Sequence, residues 1–77
     1  MALSRSEAFG VALKKLREAR GLSQEAAALA CGIDRAYFGK LERGQKSPTL
    51  AMVWKISDGL DTRPSKLMAQ TERLVGK

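Results

Sequence analysis

Two short helices with a glycine between them are written into residues 23–44, SQEAAALACGIDRAYFGKLERG, and the rest of the chain has to pack around that pair. Ser23 suits the position before the first helix, where its hydroxyl can accept a free N–H of the opening turn. The run Gln24–Cys31 is alanine-rich and propagates a helix at little entropic cost. Gly32 stops it, because glycine enters the left-handed region without a Cβ penalty. Ile33 is the apolar residue of the turn and is expected to point inward. Asp34 suits the cap of the second helix, whose Phe38 and Leu41 share one face, and Gly44 closes it. Helix, glycine turn, helix is the pattern of a helix-turn-helix.

A chain of 77 residues has room for one domain, 1–77, with one small core. With 44% apolar and 29% charged residues it reads as globular rather than disordered. Two Phe, one Tyr and one Trp leave the core mostly aliphatic, and at this length such a core needs help. A single cysteine excludes an internal disulfide, and no histidine is present for a Cys/His zinc site or for imidazole acid–base chemistry. Oligomerisation is the remaining source of stability. No nucleophile–base pair or metal cluster stands out, so neither an enzyme nor a cofactor or small-molecule ligand is expected. The net charge of +6 and pI near 10.0 favour a polyanionic partner, most often nucleic acid. No apolar run is long enough to span a membrane and no signal-peptide core opens the chain, so the cytoplasm is the expected location.

Taken in order, Met1–Leu3 reads as a loose end. Ser4 with Glu7 fits a capping box, with Ser6 an equal alternative as cap, and the first helix runs to about Arg20 on a Phe9–Leu13–Leu16 stripe. Leu22 reads as a plug between the first two helices. After the polar loop Gln45–Thr49, Thr49 caps a fourth helix over Leu50–Gly59, with Leu50, Val53, Ile56 and Leu60 as its core stripe and Trp54 beside that stripe. Pro64 suits the first position of a fifth helix, about 64–75, marked by Leu67, Met68, Thr71, Leu74 and Val75. The expected fold is all-α, five short helices. Cys31 reads as a buried structural thiol, and Met52 and Met68 as gap-fillers in the core or an interface.

The second helix of such a motif lies in the DNA major groove with its N-terminal residues at base edges. Here those are Arg35, Ala36, Tyr37 and, one turn on, Lys40. The fork of Arg35 can bond guanine O6 and N7 together, worth ~1–3 kcal/mol of discrimination. Lys40 can do the same less selectively or bind phosphate. Ala36 can touch a thymine methyl, and Tyr37 either reaches a base or phosphate or fills a surface groove. Isolated arginines and lysines on a helix are usually solvated charge; the surrounding motif is what favours DNA contact here. Gly39 has two readings, backbone approach to DNA or close helix packing. Gln24 at a helix N-terminus and the cluster Arg43, Gln45, Lys46 and Ser47 are expected to hold phosphates on either side. Arg17 follows Leu16 and Glu42 follows Leu41, so an ion pair between the first and third helices would fix the reading helix to the scaffold.

GLSQEAAALACGIDRAYFGKLERG resembles the Cro/repressor-type helix-turn-helix, or XRE family, and with Leu13, Leu16, Arg17, Pro48, Leu50, Ile56, Leu60 and Leu67 the match covers about Phe9–Met68. The resemblance implies a five-helix, lambda-repressor-like DNA-binding domain with the motif at helices two and three. It also implies the Arg17–Glu42 pair and DNA contact through Gln24 and residues 35–40. Within the family, Asp34-Arg35-x-Tyr37 followed by Leu41-Glu42-Arg43 is similar to controller proteins of restriction–modification systems, which implies a homodimer on a palindromic operator. Two departures stand out. Ala27 occupies a position where the family commonly has leucine, and Arg63 one where Ser or Asp usually caps the fifth helix.

The expected function is therefore that of a sequence-specific, dimeric transcriptional regulator whose partners are double-stranded DNA and a second copy of itself. Its interface is expected on the fifth helix through Leu67, Met68, Leu74 and Val75, with Trp54; simple core packing of that helix is the competing reading. Two other functions stay open. One is an antitoxin or autorepressor of a toxin–antitoxin pair, for which the chain has little surface left over. The other is a transcription adaptor without sequence selectivity.

Overall fold

Each of five helices begins where a side chain or a proline satisfies its first turn. The computed structural model describes residues 2–76, and every regular element among them is a helix: α1 Arg5–Ala19, α2 Gln24–Cys31, α3 Arg35–Glu42, α4 Leu50–Gly59 and α5 Pro64–Leu74. Of the two candidate caps for α1, Ser4 is the one used. Its hydroxyl accepts from the Glu7 N–H at 3.1 Å while its own N–H donates to Glu7 Oε1 at 2.8 Å. Hydrogen bonding to the carboxylate, from the Ser4 N–H foremost and then from the Ser4 side chain, holds the Glu7 carboxyl below its ordinary pKa. Ser23, Asp34 and Thr49 accept from the N–H groups of Ala26, Tyr37 and Met52. At α5 no side chain caps; Arg63 stands there without a cap bond, and Pro64 opens the helix.

The α2–α3 turn depends on Gly32, at φ +67°, whose left-handed backbone lets the Ile33 N–H return to the Ala28 carbonyl at 2.9 Å. The helices enclose a core in which Phe38, Leu13, Leu41, Ile56 and Leu60 are fully buried. Cys31 is buried in the same cluster with its Sγ toward the Ile56 carbonyl, and burial raises its pKa. Small residues bring backbones together where α1 crosses α3. A methyl group on Gly10 would lie 2.6 Å from the Leu41 carbonyl oxygen and nearer still to that of Glu42.

Three features differ from the sequence expectation. Leu50 is 73% exposed instead of lying in the core. It is the first residue of α4, and the stripe it begins turns inward only from Val53. The N-terminal segment is not loose: Leu3 pairs with Val75 in an isolated parallel bridge, and the Gly76 N–H donates to the Leu3 carbonyl at 3.0 Å. Met1, part of the same expectation, lies outside the described residues. Arg20 is more than a helix end. Its Nε donates to the Leu60 carbonyl at 2.8 Å and its Nη2 to that of Asp61 at 2.9 Å. This clamps a corner that Asp61 turns at φ +55°.

Gly10→Ala should lower stability by about 1–3 kcal/mol through overpacking, outweighing a helix-propensity gain of at most ~1 kcal/mol. Urea unfolding measures this, and an unchanged or raised midpoint contradicts the close approach of α1 and α3.

Candidate nucleic-acid interface

An eight-residue helix such as α3 is too short to hold itself in water, so its orientation is set by what grips it. Phe38 and Leu41 grip it from the core side, both fully buried. Tyr37 is half-buried and rests against the edge of that core. Arg35, Ala36 and Lys40 are exposed on the other side. α3 thus has one face committed to the fold and one open to a partner.

The C-terminal end of α3 is gripped by charge. Arg17 Nε meets Glu42 Oε2 at 2.6 Å, and Arg17 Nη2 reaches Glu42 Oε1 at 3.2 Å. The pair is forked, with side-chain exposures of 13% for Arg17 and 4% for Glu42. The Arg17 pKa is raised, foremost by the hydrogen bond to Glu42, which outweighs the opposing effect of burial. The remaining Arg17 nitrogen, Nη1, donates to the Leu22 carbonyl at 2.9 Å. Gln24 Nε2 donates to Glu42 Oε1 at 2.8 Å. One carboxylate therefore joins α1, α2 and α3.

That arrangement places Gln24 at the start of α2 with its amide N–H toward Glu42 and its carbonyl oxygen toward Gly39. Gly39 itself is not a site of close helix packing. The atoms nearest to a Cβ placed there are Arg43 Nη1 at 3.1 Å and Gln24 Oε1 at 3.7 Å, both at the ends of polar side chains. Arg43 folds over this gap while its Nε donates to Gln45 Oε1 at 3.3 Å. Gln45, Lys46 and Ser47 are exposed in the loop that follows, which Gly44 enters at φ +74°. The Ser47 hydroxyl is 2.5 Å from that of Ser6 in α1, a tether that the sequence did not signal because the two are far apart in the chain. Arg35, Lys40, Arg43 and Lys46 are thus all exposed, from the start of α3 through the loop after it.

The residues considered for an interface between copies divide. Trp54, 51% exposed, and Met68, 44% exposed, line a groove of about 1250 Å³ between the start of α1, α4 and α5, together with Leu50, Pro48 and Val75. Leu67, by contrast, is 3% exposed and belongs to the chain's own core, and Leu74 packs against that core. Among the described residues no helix is long and apolar enough to cross a membrane, and no group of three or more His, Cys, Asp or Glu is placed to hold a metal.

This geometry belongs to a known class of DNA-binding regulators. The family model described as helix-turn-helix, HTH_3, matches residues 13–67, and the chain belongs to that family, the XRE type of transcriptional regulator. The control protein C.MunI of Mycoplasma sp is 41% identical over 66 residues, covering 84% of this chain and 89% of the relative. The crystal structure of the restriction-modification controller protein C.AhdI from Aeromonas hydrophila superposes with a TM-score of 0.77 at 44% identity, over 79% of this chain and 92% of that one. The HTH-type transcriptional regulator SutR of Escherichia coli (strain K12) is 47% identical over 49 residues, 64% of this chain. The matched part is 28% of SutR's own length.

Arg17→Met removes one partner of a largely buried pair and leaves Glu42 short of two of its three donors. Stability to urea should fall by about 2–3 kcal/mol. A loss below ~1 kcal/mol would mean that the pair behaves as a solvated surface contact.

Proposed function

We propose that the chain acts as a homodimer on a palindromic operator, as a controller of the restriction–modification type. Arg35, Ala36, Tyr37 and Lys40 of α3 meet base edges, and Gln24, Arg43, Gln45, Lys46 and Ser47 meet the flanking backbone. The observation that carries this reading is the division of α3. Its inner face is locked by Phe38, Leu41 and the Arg17–Glu42 pair, while Arg35, Ala36 and Lys40 are left exposed on a chain of net charge +6. A helix held this firmly presents its side chains in one register, which base readout needs.

The second copy is proposed from the groove that Leu50, Trp54 and Met68 leave open. A small chain can hide little apolar surface by itself, and a patch of this kind is covered by association more readily than by water. One α3 also offers few contacts for tight specific binding. Two copies joined through this face, each 33 × 23 × 23 Å, are of a size to set their α3 helices about 34 Å apart, one turn of DNA. Met68, Trp54 and Val75 serve that interface directly, with Leu67 and Leu74 supporting α5 from below. The restriction–modification role is supported by the likeness to C.MunI and C.AhdI over most of their length.

Arg35→Ala should reduce discrimination between an enriched duplex and a scrambled one by ~1–3 kcal/mol while residual, salt-sensitive binding persists. Competition binding at several salt concentrations reads both quantities. Undiminished discrimination by the variant would remove Arg35 from base readout.

A further inference from the structure

We propose that Ser6 is a positioning residue for DNA binding: its hydroxyl, bonded to Ser47, holds the α3–α4 loop so that Lys46 faces the phosphate backbone. The proposal rests on the DNA-binding role set out above. It concerns how the loop keeps its shape, and it assigns a function to a residue on α1, outside the helix-turn-helix.

The loop has few attachments of its own. At its start Gly44 packs against the first turn of α1, where a Cβ would come within 2.9 Å of Glu7 Cα, and the Gln45 N–H returns to the Lys40 carbonyl at 2.9 Å. At its end Thr49 caps α4 through the Met52 N–H. Between these points the loop's side chains make two hydrogen bonds among the described residues, the local one from Arg43 Nε to Gln45 Oε1 and the one that ties the loop to another element, Ser47 to Ser6 at 2.5 Å. Lys46 is thereby bracketed on both sides by attachments to one turn of α1, Gly44 on Glu7 and Ser47 on Ser6. That turn is itself rigid, because Ser4 and Glu7 close the capping box beneath it. Ser4 takes the capping role, which leaves the Ser6 hydroxyl available for the loop. Ordering an exposed loop costs backbone entropy, so a loop fixed before binding meets phosphate at less cost than one fixed during it. Ser47 thus serves as the loop's handle besides the backbone contact proposed for it above.

Ser6 and Ser47 also line the groove proposed for the second copy, so dimerisation has to be measured separately from DNA affinity. The test uses the full chain and the duplex that the wild type enriches from random DNA. Ser6→Ala should weaken binding by roughly threefold to tenfold, the range of one net hydrogen bond, and Ser47→Ala by at least as much. The double variant should be no weaker than Ser47→Ala alone, because Ser6→Ala removes only a contact that Ser47→Ala has already removed. The dependence of log affinity on log salt should fall by about one, as for one lost phosphate contact, with the dimer dissociation constant unchanged. Ser6→Thr, which keeps the hydroxyl, should restore binding to within about twofold. The proposal is overturned if Ser6→Ala binds like the wild type, if the two losses multiply, or if affinity drops through weaker dimerisation with an unchanged salt slope. A wild type that enriches no duplex fails the DNA-binding role itself, which is a different result from a wild type that binds and a Ser6→Ala variant that binds equally well.

Discussion

Glu42 holds the molecule's working geometry together. Its carboxylate accepts from Arg17 twice and from Gln24 once, and those donors come from α1 and α2 while Glu42 itself ends α3. A buried pair of this kind contributes little net stability against an apolar replacement, because desolvating both charges is costly. Its value lies in direction. Apolar contacts between Phe38, Leu41 and the core fix where α3 sits, but they tolerate rotation and sliding. A forked ion pair with a third donor does not. The short α3 helix therefore inherits its register from a set of hydrogen bonds that reach across 25 residues of sequence.

The same arrangement explains how so small a chain separates its tasks. The core belongs to α1, α2, α3 and α4 with Leu67 of α5, and it uses α3 from one side only. The opposite side of α3 and the loop after it carry four exposed cations, Arg35, Lys40, Arg43 and Lys46. Of the large exposed apolar residues, Leu50, Trp54 and Met68 are gathered at α4 and α5, in a groove to which α3 contributes no lining residue, while Leu29 stands exposed by itself on α2. On the proposed reading one face meets DNA and another meets a second copy, and α1 underlies both: its Arg17 holds α3, and its first turn holds the loop.

Much of this was legible in the sequence because helix boundaries are local. Ser4, Ser23, Asp34, Thr49 and Pro64 each start a helix by chemistry that reaches no further than one turn, and Gly32 marks its turn by the same logic. The pairing of Arg17 with Glu42 was accessible as well, since both follow core leucines in register. What escaped was long-range. The tether of Ser6 to Ser47 and the clamp of Arg20 on Leu60 and Asp61 join residues some 40 positions apart, and nothing in either neighbourhood signals the other. Nothing near Gly10 in the sequence signals that the backbone of α3 crosses it. Leu50 was misread for a subtler reason. Helical periodicity tells which residues share a stripe but not how far along the helix the neighbouring elements cover it, and α4 is uncovered at its first turn.

The most direct test of the account is selection of the wild-type chain against random duplex DNA, followed by the mass of the resulting complex. The account predicts enrichment of an inverted repeat with half-sites about one helical turn apart, occupied by two chains. Failure to enrich any sequence, or a single chain on a site without two-fold symmetry, would contradict it.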